Sequence, residues 1–379
     1  MLTGSELEPP ASKVPDQRAM LTAYARRIAS QALHHVPTGL WRRLFPKTEL
    51  GLCYHMVSDG HPLHVRHYPI LSTKEFENDL LYLRHHFNFI SYDDLVRRRA
   101  NPHPVRDNSV ILTFDDGFAE CSTVVAPVLR RHGIDCVFFI ITDLIDNATL
   151  FRETEAALCI NAVCQMPVET VEALLNEVGL AAHLRPPPDP TRLVGTRTPL
   201  GISGLDSSSD RRLWPLLHWL LTADGNSVPL LRRLSVRLGV DPDRYLTQVQ
   251  PYQTASQIRQ LRAEGFTIGA HSCSHRWLQG LSKDEARHEI VESCRVVRDI
   301  TGQDTVPFAF PYFGGGIART WLADIRKQHE FVGLFFDTDG LREDAPFVVQ
   351  RVFGERFGHD RTVDGILRRA WSRRPAWYW

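Results

Sequence analysis

Two adjacent carboxylates, Asp115 and Asp116, follow directly after the apolar run "ILTF" at residues 111–114. Neighbouring carboxylates repel each other and resist burial, so this pair requires either water or a cation. Further along, the segment "HSCSH" carries His271 and His275 four positions apart. Zinc in hydrolytic sites commonly takes three protein ligands from His and Asp/Glu and leaves a position for water. Asp116, His271 and His275 fit that count, which leaves Asp115 free to act as a general base.

Each of these signals is weak when taken alone. A "DDG" tripeptide after a strand is more often a tight turn, and two histidines four apart are more often surface or core residues. The "GGG" run at residues 314–316 usually marks a flexible turn. The hypothesis of a hydrolase-like site therefore rests on the coincidence of the three signals.

The elements that must position these residues alternate between strand and helix patterns from about residue 49 onward. Buried strands are predicted in the segments "ELGLCYHMV", "SVILTF", "IDCVFFII", "FTIGA", "VPFAFPY", "FVGLFFDT" and "FVVQRVFG". Capping boxes predict three helix starts, with Ser72 and Glu75, Thr254 and Gln257, and Ser282 and Glu285. This alternation predicts an α/β architecture with a parallel sheet, either open or closed into a barrel.

Ligands of parallel α/β sheets lie beyond the carboxyl ends of the strands. Three predicted strand ends carry the aspartate pair, the histidine pair and the "PYFGGG" turn that contains Pro311 and Tyr312. We therefore expect all three to lie on one face of the sheet.

Composition sets limits on the function. The 379 residues are 43% hydrophobic and 23% charged, which is typical of a globular protein. The 44 Lys and Arg residues balance the 44 Asp and Glu residues, so no overall field attracts nucleic acid. Seven cysteines without a CxxC pair indicate reduced, buried thiols. No window is apolar enough for a membrane span and the N-terminus lacks a secretory pattern, so we predict a cytoplasmic protein.

The sequence divides into five segments. Residues 48–142 and 250–358 carry the strand and helix alternation, and residues 143–249, with helical patches, are predicted to be a mostly helical insertion. Residues 1–47 contain a loose leader and a basic amphipathic helix, and residues 359–379 form a basic, Trp-rich tail. Packing of both ends on the domain surface is the favoured interpretation. Peripheral contact with an anionic membrane at the inner face is the second.

The sequence resembles the NodB-type polysaccharide deacetylases, the fourth family of carbohydrate esterases. The resemblance covers roughly residues 49–142 and 250–358. It rests on "TFDDG" at 113–117, "HSCSH" at 271–275, an early "YH", "APVLRRHGIDCVFFI" and "FAFPYFGGG". It implies a distorted (β/α)7-type barrel and a metal-dependent N-deacetylase of carbohydrates. Zinc is the ion that the resemblance favours, with cobalt, nickel or iron as alternatives.

The resemblance also implies a role for each matching residue. Asp115 resembles the catalytic base of the family, and Asp116, His271 and His275 resemble its metal ligands. The backbone N–H of Tyr312 would then help to form the oxyanion hole for the acyl group of an N-acetylated sugar.

Two features of the family are missing from their usual places. Many members have an arginine ahead of the Pro-Tyr pair that orients the base, but Ala309 and Phe310 stand here. No clear "LxH" motif supplies the general acid, for which His55 and His359 are the candidates. His55 is the better one because a buried strand delivers it to the sheet edge, although a satisfied core histidine fits equally well. Three further histidines in a proline-containing loop are interpreted as solvated: His61, His64 and His67.

The insertion bears on the substrate. It is large enough to form a lid or wall, which favours a small or lipid-linked sugar over an extracellular polymer. Trp214 and Trp219 could stack on a sugar, but their spacing is more typical of a helical core. An O-acetyl esterase or a deformylase would use the same ligands. A decayed carbohydrate-binding or scaffold protein is the alternative from another class, and the missing arginine and general acid favour it.

Overall fold

The structure is a computed structural model, and it describes the residues 40, 49–65, 68–100, 107–185, 211–222, 227–355 and 362–372. The predicted basic helix of segment 1–47 lies outside these residues, apart from Leu40, as do His67 and His359. The described part of the C-terminal tail forms a helix whose Trp371 is buried and stacks on Phe87. None of the helices within the described ranges is long and apolar enough to cross a membrane.

Eight parallel strands form one sheet that closes on itself. The strand order is β1-β8-β7-β6-β5-β4-β3-β2, and β1 also pairs with β3, so seven strands form a barrel and β2 is an extra strand beside β3. The strands are β1 Glu49–Tyr54, β2 Asn88–Phe89, β3 Ser109–Phe114, β4 Cys136–Ile140, β5 Thr267–Ala270, β6 Val306–Ala309, β7 Val332–Asp337 and β8 Val348–Phe353. The predicted (β/α)7-type barrel is thus confirmed.

Helices connect the strands and cover the barrel. They are α1 Thr73–His86, α2 Tyr92–Ala100, α3 Ala126–His132, α4 Arg152–Val163, α5 Val168–Glu177, α6 Trp214–Thr222, α7 Val228–Arg237, α8 Pro242–Val249, α9 Ala255–Ala263, α10 Lys283–Thr301, α11 Arg319–Gln328 and α12 Val363–Ser372. The three predicted capping boxes are present at the starts of α1, α9 and α10. Gly133 and Gly302 end α3 and α10 in the left-handed conformation that favours glycine.

The strands are buried on both faces, as expected for a parallel sheet. Every residue of β3 and β4 is buried. One face packs against the helices in the largest core cluster, which includes Leu112, Phe138 and Phe308. Residues of the other face, such as Phe139 and Phe336, belong to a second cluster. The barrel interior is therefore a packed core, and its strand ends are held firmly in place.

Two elements differ from the sequence-based prediction. The predicted strand "VPFAFPY" ends already at Ala309, because the chain then turns through Pro311 into a left-handed backbone at Tyr312. The apolar pattern after "TFDDG" predicts a helix from about Ala119 to Arg131, but the structure begins this segment as a π-helical turn at Cys121–Val125, ahead of α3. Both departures lie next to the predicted site residues, where irregular backbone is common.

Between β4 and β5, the described residues form the α-helices α4 to α9. Helices α4 to α7 share a core of their own, in which Cys159, Val171 and Leu217 are buried. Leu246 of α8 belongs instead to a separate cluster with Met56 and Phe118. Trp214 is buried in the core of α4 to α7 and Trp219 packs against it. These two tryptophans therefore stabilise the helical insertion, as their spacing favoured.

Candidate active site

The carboxyl ends of the barrel strands surround a cavity of about 370 Å³. Parallel strands end at the same edge of a sheet, so residues that follow different strands meet there. Six of the residues that the sequence analysis selected line this cavity: His55, Asp115, Asp116, His271, His275 and Tyr312. His359, the other candidate for the general acid, lies outside the described residues.

Asp116, His271 and His275 converge on one point. Each offers a ligand atom, and these atoms lie within 4.8 Å of one another. Asp116 Oδ1 is 3.4 Å from His271 Nε2 and 3.6 Å from His275 Nε2. His271 Nδ1 lies 2.9 Å from the carbonyl oxygen of Ala309, to which it donates, so its Nε2 presents a lone pair towards Asp116.

The three groups fit a divalent cation. Burial lowers the pKa of His271 to about 4 and holds the pKa of His275 well below its usual range, so both rings are neutral at pH 7. Burial also raises the pKa of Asp116 to about 7, against the opposing charge of His55. Asp116 Oδ1 is buried and has no hydrogen-bond partner among the described residues. Two neutral imidazoles and an unpartnered carboxylate oxygen are the donor set of a zinc-type site.

Arg351 on β8 orients Asp115, and sequence reasoning did not identify it. Its Nη1 donates to Asp115 Oδ1 at 2.7 Å and its Nη2 donates to Oδ2 at 2.8 Å. Nη1 also donates to Thr113 Oγ1 at 2.9 Å, and the guanidinium lies 5.3 Å from the ring centre of Phe139 and 5.8 Å from that of Phe336. Burial alone would raise the pKa of Asp115, but the charge of Arg351 holds it well below its usual range.

The side chain of Arg351 needs space beside β1, which pairs with both β3 and β8. Gly51 provides this space, because a Cβ at position 51 would lie 2.6 Å from Arg351 Cγ and 2.8 Å from the carbonyl oxygen of Gln350. The sequence did contain a signal for this arginine, because Arg351 is a charged residue within the predicted buried strand "FVVQRVFG". A buried arginine in a parallel strand requires an anionic partner.

His55 is held as a charged donor at the cavity. Its Nδ1 lies 2.9 Å from Glu355 Oε1, which also accepts from the His55 backbone N–H, and the hydroxyl of Tyr68 is 2.9 Å from the same ring nitrogen. Burial would lower the pKa of His55, but the buried Glu355 carboxylate raises it to about 9. His55 is thus satisfied by Glu355 and Tyr68, as the core-histidine interpretation expects, and it also lines the cavity. No sequence pattern pointed to Glu355.

A second group of potential metal ligands, Cys53, His55 and Asp115, also lies within 4.8 Å. Its ligand atoms already form hydrogen bonds, because Arg351 donates to both carboxylate oxygens of Asp115 and His55 Nδ1 donates to Glu355. Asp116, His271 and His275 are therefore the group whose ligand atoms could hold a cation.

The backbone at the site is in the left-handed region at four residues that are not glycine. The φ angles are +73° at Asp116, +64° at Ser272, +58° at His275 and +60° at Tyr312. Such conformations are strained for side chains with a Cβ and cluster at functional sites. Thr338 Oγ1 donates to the carbonyl oxygen of Tyr312, while no described residue accepts from the Tyr312 backbone N–H.

The insertion forms part of the cavity wall. Phe151, Arg152 and Glu153, at the start of α4, line the cavity, and the hydroxyl of Tyr312 donates to Glu153 Oε1 at 2.7 Å. The Phe151 ring centre lies 4.9 Å from that of His275. The insertion therefore touches both Tyr312 and the predicted metal ligand His275.

The interpretation of the loop histidines as solvated is wrong for His64. His61 is exposed, but His64 is only 2% exposed and lines the cavity. Its ring stacks on Phe118 at 5.6 Å between centroids, and its Nδ1 lies 2.8 Å from the hydroxyl of Tyr245 on α8. The insertion covers this loop, which the sequence could not show.

Comparison with known proteins supports the sequence-based resemblance. The family model described as polysaccharide deacetylase matches residues 103–173 and 239–333. Both predicted motifs lie within these ranges, so the predicted resemblance to polysaccharide deacetylases is confirmed. No curated protein matches the sequence.

One solved structure shares the fold, and a second is similar over a comparable part of the chain. Streptococcus pyogenes deacetylase PplD in complex with acetate is 14% identical, with a TM-score of 0.50 over 86% of this chain and 99% of that one. IcaB from Ammonifex degensii is 17% identical, with a TM-score of 0.48 over 87% of this chain and 98% of that one.

Proposed function

Because the chain carries the sequence signature of the polysaccharide deacetylases, we propose that it is a metal-dependent hydrolase that removes the N-acetyl group of an amino sugar. The family match supports a carbohydrate deacetylase, and the metal dependence and the residue roles are parts of our proposal. One observation carries it: a buried, ionised Asp115 lies in the same cavity as three convergent ligand atoms.

Asp116, His271 and His275 would hold the cation, which we propose to be zinc because two imidazoles and one carboxylate suit it. When bound, a divalent cation acts as a Lewis acid that polarises a carbonyl and makes water more acidic. The cation also offsets the repulsion between Asp115 and Asp116. The two neighbouring carboxylates thus have separate tasks.

Asp115 is the proposed general base. Its two oxygens are fixed by Arg351 and its pKa is held well below the usual range, so it is ionised and ready to accept a proton from the attacking water. The low pKa limits its strength as a base, and we assign its contribution chiefly to its fixed position.

Tyr312 and His55 are the proposed partners of the reacting acetyl group. The backbone N–H of Tyr312 donates to the oxyanion that develops on the carbonyl. His55, protonated through its pairing with Glu355, donates a proton to the leaving amine. Arg351 and His55 supply the two functions whose absence favoured a decayed binding protein, so nothing in the site now favours that alternative.

We further propose that the substrate is a small or lipid-linked saccharide. The cavity of about 370 Å³ is walled partly by the insertion, which suits a short sugar better than the middle of a long polymer. A lipid-linked substrate agrees with a cytoplasmic enzyme in peripheral contact with the inner face of the membrane.

Acetate release from a panel of N-acetylated, O-acetylated and N-formylated mono- and oligosaccharides, with added zinc, cobalt or chelator, tests the proposal. We expect release only from N-acetylated sugars and only with metal. Asp116→Ala should lose metal and activity together, whereas Asp115→Asn should keep the metal and lose about 10²-fold or more of the activity. The exposed Asp135→Asn is the matched control and should change neither. Unchanged acetate release by Asp115→Asn would refute its assigned role.

A further inference from the structure

We propose that His64, Arg152 and Glu153 form a recognition wall for the hydroxyl groups of a neutral N-acetylated sugar. This inference rests on the proposed function and names the part of the site that selects the substrate. Arg152 and Glu153 belong to the insertion, and His64 belongs to the loop that the insertion covers.

The recognition wall has unused hydrogen-bonding atoms. All three side chains line the catalytic cavity. Each has a buried polar atom without a hydrogen-bond partner among the described residues: His64 Nε2, Arg152 Nη1 and Glu153 Oε2. Buried polar groups in native proteins are almost always paired, so three unpaired atoms on side chains that line one cavity point to polar recognition there.

The remaining atoms of these side chains hold the unused ones in position. His64 Nδ1 lies 2.8 Å from the hydroxyl of Tyr245, and Arg152 Nη2 donates to Glu153 Oε1 at 2.6 Å. The same Glu153 oxygen accepts from the hydroxyl of Tyr312. The recognition wall is therefore preorganised, which reduces the entropy that a ligand must lose on binding.

The charge of the recognition wall selects the class of ligand. Arg152 and Glu153 form an ion pair whose net charge is zero. Burial lowers the pKa of His64 to about 4, so its ring is neutral at pH 7. A set with both a donor and an acceptor and no net charge matches sugar hydroxyls, which donate and accept. A phosphate or an ammonium group would leave one member of the ion pair facing a like charge.

The recognition wall lies beside the proposed chemistry. Glu153 contacts Tyr312 directly, and the neighbouring Phe151 packs against the ring of His275. A sugar bound there would place its acetyl group near the cation ligands. None of the three side chains has a role in the proposed proton transfers, so they would affect binding more than the chemical step.

Three variants test the recognition wall by steady-state kinetics on N-acetylglucosamine oligomers. His64→Phe and Glu153→Gln should each raise KM by about 3- to 10-fold, which is the loss expected for one hydrogen bond, while kcat and zinc content stay nearly unchanged. His64→Gln places an amide nitrogen near the position of Nε2 and should restore most of the affinity. The matched control Glu172→Gln, on the exposed side of α5, should change nothing.

A binding measurement separates this inference from the proposed function. In the Asp115→Asn background with zinc, calorimetric titration with the N-acetylglucosamine trisaccharide should give a Kd that rises about 3- to 10-fold with Glu153→Gln or His64→Phe. Equal affinity in all variants would overturn the recognition wall while leaving the deacetylase proposal intact. Tighter binding of a sugar phosphate than of the neutral sugar would overturn the assigned ligand class. A wild-type protein that binds the trisaccharide but releases no acetate would refute the proposed function alone, and absence of both binding and release would refute both.

Discussion

Replacing Arg351 by Met tests how the base is held. The change removes both hydrogen bonds to Asp115, and the side chains of this pair are 0% and 3% exposed. Met has a similar length and an apolar end, so the space between Phe139 and Phe336 stays filled. The carboxylate of Asp115 would then be buried without its cationic partner.

The expected effect on stability is large. Opposite charges about 4 Å apart attract by about 4 kcal/mol at an effective dielectric constant of about 20. Removing one member of a buried ion pair typically costs about 3–5 kcal/mol. We therefore expect Arg351→Met to lower the free energy of unfolding by about 3–5 kcal/mol at pH 7. The double variant with Asp115→Asn should recover much of this loss, because no buried charge remains.

The effect on activity depends on pH. The pKa of Asp115 is depressed in the folded protein, so its pairing stabilises the fold above the usual aspartate pKa, and this stability is lost as the pH falls through the depressed value. Without Arg351, the effect of burial loses its largest opposing charge, so the pKa of Asp115 rises. The acid limb of the pH–rate profile should therefore move to higher pH, and kcat at pH 7 should fall by about 10²-fold or more.

Urea unfolding and pH–rate profiles of acetate release measure both effects. Arg98→Met is the control, because Arg98 pairs with Asp107 at 2.9 Å on the surface, where such a pair contributes about 1 kcal/mol or less. If Arg351→Met unfolds at the wild-type urea concentration and keeps the wild-type acid limb, Arg351 does not orient the base.

Three further predictions follow from the same geometry. Gly51→Ala should destabilise the fold by about 1–3 kcal/mol and reduce acetate release by displacing Arg351, and a variant with wild-type rate and urea midpoint would contradict this. Glu355→Gln should shift the basic limb of the kcat profile from about 9 to below the usual histidine pKa, since burial then dominates at His55; an unmoved limb would exclude His55 as the acid. Tyr312→Gly keeps the backbone N–H and the left-handed conformation, so it should retain kcat within about tenfold, whereas a loss of about 10²-fold or more would assign the role to the phenol.

The sequence pattern was sufficient for a parallel α/β sheet and for the residues that follow its strands, and the family resemblance supplied the closure of this sheet into a barrel. Apolar runs and capping boxes are local signals, and the ends of parallel strands meet at one edge whatever the details of packing. The sequence could therefore predict that four residues lie close together: Asp115, Asp116, His271 and His275. The resemblance then supplied their roles.

The partners of these residues could not be predicted in the same way. Arg351 reaches Asp115 from a strand 236 positions away, and Glu355 reaches His55 across 300 positions. Such pairs depend on the closure of the barrel, which fixes which strands become neighbours. The burial of His64 could not be predicted, because it depends on where the insertion packs, and helical periodicity does not show this.

The left-handed backbone at Asp116, Ser272 and His275 has a consequence for the folded protein as a whole. These residues lie in the two turns that would grip the ion, so the ion would act as a clamp on conformations that the chain disfavours by itself. Removal of the ion would allow these two turns to leave the left-handed conformation before the rest of the barrel unfolds. Resistance to heat and to proteases at this rim would then report whether the ion is present, even when no substrate is available.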